Sequence, residues 1–198
     1  RGAGVMSGLL AFAEHDSRLK GARFAALIPA SQPLFGFYSR RGYWEATHLR
    51  HLTWDRYGET TGHVAFNTVT PEDFLALRRR YCPEGLVFTV GREAVVLQDV
   101  YAQGGTAQTQ QGYAVYIAGQ GKVLVPELFA TGYEEADTLL RAICAQCGVS
   151  SAQVTLPLDS PLYFGQGVSQ PFAMVKGLDE RFEALQPYIR LAMEEFVL

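Results

Sequence analysis

The sequence predicts an α/β (α+β) fold with a mixed sheet and helices laid against it. Two observations carry this expectation. Short apolar runs closed by Pro or Gly recur along the chain, as strands do, and stretches with helical three-and-four spacing alternate with them. The composition agrees: 198 residues, 48% hydrophobic and 19% charged, form an ordinary globular balance, enough for one large domain or two small ones.

The elements follow in order. Residues 4 to 17 read as an amphipathic helix, with Val5, Leu9 and Phe12 on one face and Met6, Leu10 and Ala13 beside them. Gly21 ends that stretch, and Ala22 to Ile28, stopped by Pro29, suits a buried strand. Ser31 then caps a short helix with Pro33 in its first turn, and "GYWEA" after it begins a new strand. The polar stretch Asp55 to Gly62 marks a boundary between lobes. Beyond it, Val64 to Val69 reads as a strand, and Thr70 caps a helix whose first turn holds Pro71, Glu72 and Asp73. Residues 86 to 101 read as a hairpin turning near Gly91, and residues 104 to 112 as a polar loop. Residues 113 to 130 give two strands across "GQGK", and Glu134 to Cys147 a helix. Two late strands, "AQVTLPL" and "PFAMVKG", precede a helical stretch, 179 to 196, broken at Pro187.

Net charge is −3, which offers no basic field for nucleic acid or an anionic membrane surface. No apolar run reaches bilayer-spanning length. Three cysteines and no visible signal peptide point to a reducing cytoplasm. Cys144 and Cys147 form a Cys-x-x-Cys, but at the C-terminal end of their helix and without a second pair, so packing is expected and no metal site. His48 and His51 sit three apart in a strand and point to opposite faces. Arg78, Arg79 and Arg80 read as a solvated face at the favourable end of a helix dipole.

The chain opens on "RGAGVMSGLLAFAEH", a Gly-rich turn running into a helix. A phosphate loop would end in Gly-Lys-Ser/Thr, and no lysine is present. A dinucleotide fingerprint wants a third glycine where Ser7 stands, and an acidic residue where the next strand ends in Ile28 and Pro29. The spacing Arg1-x-x-Gly4-x-Met6 at a helix head instead resembles the Gln/Arg-x-x-Gly-x-Gly/Ala loop of the GNAT acetyltransferase superfamily. Met6 departs from that pattern. Downstream, "SQPLFGFYSRRGYWEA" is similar to the family's Asn-x-x-Ala-x-x-hydrophobic-Tyr-x-x-x-Gly-Phe helix. Tyr38 falls on the family tyrosine, Gly42-Tyr43 on Gly-Phe, Ser31 where Asn is common and Leu34 where Ala is common.

The resemblance implies acetyl-CoA as co-substrate, its pyrophosphate held by Arg1, Gly2, Ala3, Gly4, Val5, Met6 and Ser7, with Ser31 in the cofactor-binding set. It implies that Tyr38 is the general acid, returning a proton to the CoA thiolate. The acceptor is an amine, on a small molecule or a peptide, and is not legible; oligomerisation is left open. The family's loop follows a strand, so the chain reads as an N-terminally shortened piece, inactive by itself. Residues 1–57 are then a partial acetyl-CoA-binding domain. Residues 58–198 resemble the second lobe of tandem GNAT proteins of the enhanced-intracellular-survival type. That lobe reads as degenerate, because "ATGYEEAD" puts two carboxylates where a pyrophosphate would lie. The competing reading is a non-catalytic CoA-binding or tandem pseudoenzyme interaction module.

Overall fold

The computed structural model describes residues 4–59, 62–81, 86–87, 93–180 and 190–191. The elements are α1 (Val5–Leu19), β1 (Phe24–Leu27), α2 (Gln32–Ser39), β2 (Trp44–Asp55), α3 (Pro71–Tyr81), β3 (Leu86–Val87), α4 (Glu93–Gln103), β4 (Gly104–Gln108), β5 (Gly112–Gly119), β6 (Lys122–Ala130), α5 (Tyr133–Cys147), β7 (Ser151–Pro157), β8 (Val168–Gly177) and β9 (Arg190–Leu191). Seven strands hydrogen-bond in the order β1-β8-β2-β7-β6-β5-β4. The sheet is mixed: β6 and β7 run parallel, whereas β1–β8, β2–β7, β4–β5 and β5–β6 are antiparallel.

The chain forms two compact units, residues 1–48 with 171–191, and residues 49–170 with 192–198. The late strand β8 falls largely in the first unit, because β1 pairs with it from Phe24↔Gly177 to Leu27↔Met174. In the first unit, Phe35, Tyr43 and Met174 form a small core, with Leu10, Ala25, Leu27 and Tyr38 against it. In the second, α5 buries Ala136, Leu139, Leu140, Ile143 and Cys144 on a core shared with Val125, Leu128, Val154 and Leu156. The i, i+3, i+4, i+7 spacing of Ala136, Leu139, Leu140 and Ile143 dictates that face. Gly148 ends α5 in the left-handed conformation, φ 67°, and its N–H bonds the Ala145 carbonyl.

Several expected elements differ. The stretch 93–103 is helix α4, not half of a hairpin. Its β-branched run reads as strand, but Val96, Leu97 and Val100 line one helix face and pack on Phe74, Tyr113, Val115 and Phe129. The turn expected at Gly91 lies outside the described residues. The polar loop expected at 104–112 contains strand β4. Its glycines serve close packing: a Cβ on Gly104 would lie 1.9 Å from the Tyr116 carbonyl oxygen. Val64 to Val69 forms a single bridge, Ala65 to Gln108, rather than a strand. The helical stretch 179–196 lies mostly outside the described residues, and Arg190–Leu191 is strand.

Arg78 does not face solvent. It is 2% exposed and donates from Nε and Nη2 to the two carboxylate oxygens of Glu127, at 3.0 and 2.7 Å, while Arg79 and Arg80 are exposed. The apolar face of α1 is also outside: Val5, Met6, Leu9 and Phe12 are between 59% and 70% exposed, and the buried residue of α1 is Glu14.

Candidate functional site

Helix α1 starts at Gly4, whose φ of 71° suits glycine and carries the chain into the helix. The first helical bond runs from the Gly8 N–H to the Gly4 carbonyl. The N–H groups of Val5, Met6 and Ser7 therefore precede the helical ladder, no side chain caps them, and the first turn holds no acidic residue. A Cβ placed on Gly4 would meet nothing within 4 Å, so the space over this turn is open. Met6 points outward at 59% exposure. Arg1, Gly2 and Ala3 lie outside the described residues.

Helix α2 begins after Ser31, which has extended backbone but makes no side-chain capping bond, so Pro33 in the first turn is the start signal that acts. Tyr38, late in α2, is half-buried, packed edge-on to Phe37 and Tyr43 with ring centres 5.1 and 5.7 Å away. Its hydroxyl has no hydrogen-bond partner among the described residues, and its carbonyl accepts from the Arg41 and Tyr43 N–H groups. The turn closes at Gly42, whose φ of 85° suits glycine.

Arg41 links these two helices. Its Nη1 donates to the Phe37 carbonyl at 2.8 Å, its Nη2 to Ser7 Oγ at 2.5 Å, and the guanidinium lies 3.5 Å over the Phe37 ring. The first turn of α1 and the last turn of α2 are thereby joined, which brings Ser7 and the segment carrying Tyr38 together. Arg41 was not legible as a site residue. Its only signal was a cation placed three residues after the motif tyrosine. Ser31, at the far end of α2, makes no side-chain contact of this kind.

A second helix start, that of α5, is built differently. Glu134 and Glu135 occupy its first turn. The loop 158–167 bonds to it: the Tyr133 hydroxyl donates to the Pro161 carbonyl and accepts from the Phe164 N–H, and the Tyr163 hydroxyl donates to Asp137 Oδ1 at 2.6 Å. Burial and Asp137 together push the Tyr163 hydroxyl pKa far up. Arg50 locks the loop from beneath, donating to the carbonyls of Ser160, Leu162, Tyr163 and Gln166.

Cys144 is buried and Cys147 half-buried, both free thiols; burial, with Cys147 next, pushes the Cys144 thiol up to about 11. His48 lies 3.5 Å from Glu45, and His51 Nδ1 3.1 Å from Thr155 Oγ1. Among the described residues no group of three or more His, Cys, Asp or Glu could hold a metal ion, and no helix is long and apolar enough to cross a membrane.

No family model and no curated protein matches the sequence. Solved structures do match. A GCN5-related N-acetyltransferase from Kribbella flavida is 24% identical, with a TM-score of 0.63 over 88% of this chain and 48% of that one. Eis1 from Mycobacterium abscessus is 16% identical, TM-score 0.65, over 93% and 55%. A probable N-acyltransferase from Enterococcus faecalis is 16% identical, TM-score 0.65, over 90% and 51%. The fold is that of the GNAT N-acetyltransferases. The chain spans about half the length of these GNAT structures. A tandem GNAT protein from the clavulanic acid pathway also matches, TM-score 0.53 and 11% identity, over 90% and 71%. From Gly4 to residue 46, the expected order of helix, strand, helix and Gly-Tyr is present as α1, β1, α2 and the start of β2.

Proposed function

We propose that this chain is part of an acetyl-CoA-dependent N-acetyltransferase, with the co-substrate at the first turn of α1 and Tyr38 as general acid. The observation that carries the proposal is Arg41, which joins Ser7 Oγ to the Phe37 carbonyl and so sets the Tyr38 turn beside an uncapped helix start. The N–H groups of Val5, Met6 and Ser7 would hold pyrophosphate oxygens, favoured by the α1 dipole and by the Arg41 charge. Gly2 and Ala3 would extend that cradle, with Arg1 adding charge. Ser31, making no capping bond, is free to donate to the same ligand.

Acetyl-CoA supplies the activated acetyl thioester for an amine to attack. The Tyr38 hydroxyl, which has no hydrogen-bond partner among the described residues, would donate to the sulfur as the C–S bond breaks. The amine's own proton leaves to water or a base. Residues 1–57 are the acetyl-CoA-binding piece and 58–198 a second GNAT-like lobe without its own CoA. Two glutamates in the first turn of α5 and the loop 158–167 bonded to Tyr133 and Asp137 support the latter. The exposed apolar face of α1 favours a second reading, a CoA-binding interaction module without turnover.

Thiol release from acetyl-CoA by the intact protein, with a panel of peptide, polyamine and aminoglycoside amines, separates the two. Amine-dependent release that falls in Tyr38→Phe supports the enzyme. CoA binding without any release supports the module.

A further inference from the structure

We infer that the second unit carries a ligand cleft of its own, shaped for a short peptide with a free amine at one end and a free carboxylate at the other. The cleft has a volume of about 990 Å³, the upper range of small-molecule sites. One wall is the face of α5 formed by Glu134, Glu135, Thr138 and Arg141; the segment 62–65 and the β4–β5 turn, residues 108–111, form the others.

Arg141 is the unusual member. Its Nε is buried and has no hydrogen-bond partner among the described residues. The carboxylate one helical turn away, Asp137, is already taken by Trp54 Nε1 at 2.9 Å, Tyr163 and Tyr57. What Arg141 touches instead is the Tyr57 ring, 5.5 Å from the guanidinium carbon. That Nε is closed to solvent, so a ligand would meet the rest of the guanidinium, which lines the cleft without a hydrogen-bond or ion-pair partner among the described residues, and a carboxylate is the acceptor whose planar geometry matches that fork. At the other end of the same wall, Glu134 and Glu135 form no ion pair among the described residues. Their place in the first turn suits the helix dipole, which accounts for two carboxylates there but neither for the hollow nor for the cation that lines its other end.

The charges set the ligand's polarity and its length. Arg141 lies six residue steps along the helix from Glu135, about 9 Å of axis at about 1.5 Å per residue. A single amino acid is too short to engage both ends. Three extended residues cover about 10 Å at about 3.3–3.6 Å each. The turn opposite offers the Gln108, Gln110 and Gln111 side chains, donors and acceptors of the kind a peptide backbone pairs with.

Triglycine is the probe, titrated into the ¹⁵N-labelled chain alongside N-acetyl-triglycine, triglycine amide and spermidine. Triglycine at millimolar concentration is expected to shift amides in 62–65, 108–111 and 134–141. Blocking either terminus weakens binding about tenfold or more, as does Arg141→Gln or the double change Glu134→Gln with Glu135→Gln. The two variants remove opposite ends, so a folding defect in one leaves the other to decide. No shift with triglycine, equal binding of the blocked peptides, or spermidine binding as tightly as triglycine would each overturn the inference.

Discussion

Glu14 and Lys176 lie 162 residues apart in sequence and 2.6 Å apart in space, and the Tyr43 hydroxyl donates to the second oxygen of the same carboxylate at 3.1 Å. Since Glu14 is the buried residue of α1, this polar contact does for the helix what an apolar face ordinarily does. Lys176→Met leaves a buried carboxylate without its cation and is expected to destabilise the first unit by about 2–4 kcal/mol, read by urea denaturation. Amide exchange in α1 should rise. Joint replacement of Glu14 by Gln and Lys176 by Met should recover part of the loss; no recovery would mean that Lys176 acts through packing alone.

Tyr38→Phe keeps the ring contacts with Phe37 and Tyr43 and removes the free hydroxyl. In the intact protein, turnover is expected to fall by about 10²–10⁴-fold with little change in acetyl-CoA affinity. Steady-state kinetics with a working acceptor measure both. Unchanged turnover would leave Tyr38 a packing residue.

Arg50 is 6% exposed and holds four backbone carbonyls of the loop 158–167. Arg50→Met strands those acceptors and is expected to cost about 2–5 kcal/mol and to open the loop to proteolysis. Lysine should restore less than half of the loss, because a point charge with three donors cannot match the planar fork. Gly167→Ala should loosen the same loop: its φ is 86°, and a Cβ would lie 2.5 Å from the His51 carbonyl oxygen.

Legibility followed local physics. Helices α1 and α5 were readable from periodic apolar positions, although α1 leaves its apolar face exposed, and α3 from its cap, where the Asp73 N–H bonds Thr70 Oγ1 at 3.1 Å. Helix α4 was not, because a Val-Val-Leu run has no cap signal and tertiary packing chose the helix. Strand β4 hid behind glycines whose purpose is to let β5 approach, which only the partner strand reveals. At the site, the Gly4 turn and Tyr38 could be picked out by spacing. Arg41, Glu14 and Lys176 could not, since their meaning lies in contacts across 29 to 162 residues.

Alkaline pH tests the buried thiol. The Cys144 pKa is raised from 9.0 to about 11, so the folded chain holds that proton after the unfolded chain has lost it. This contribution to stability is fully present below pH 9 and is lost as pH rises through 11. Burial pushes the Tyr43 and Tyr163 hydroxyls the same way, which adds to the same alkaline loss. Melting temperature should therefore fall between these pH values, less steeply in Cys144→Ala. Alkylation of Cys144 in the folded chain should be far slower than that of a free thiol.

The central claim is one CoA site, at the start of α1. Titration of CoA into the ¹⁵N-labelled chain tests it directly, with Arg41→Ala as control. The account predicts amide shifts concentrated in residues 4 to 8, reduced by about tenfold in affinity without Arg41, and none at residues 133 to 137. Shifts centred on the start of α5, with residues 4 to 8 unmoved, would contradict it.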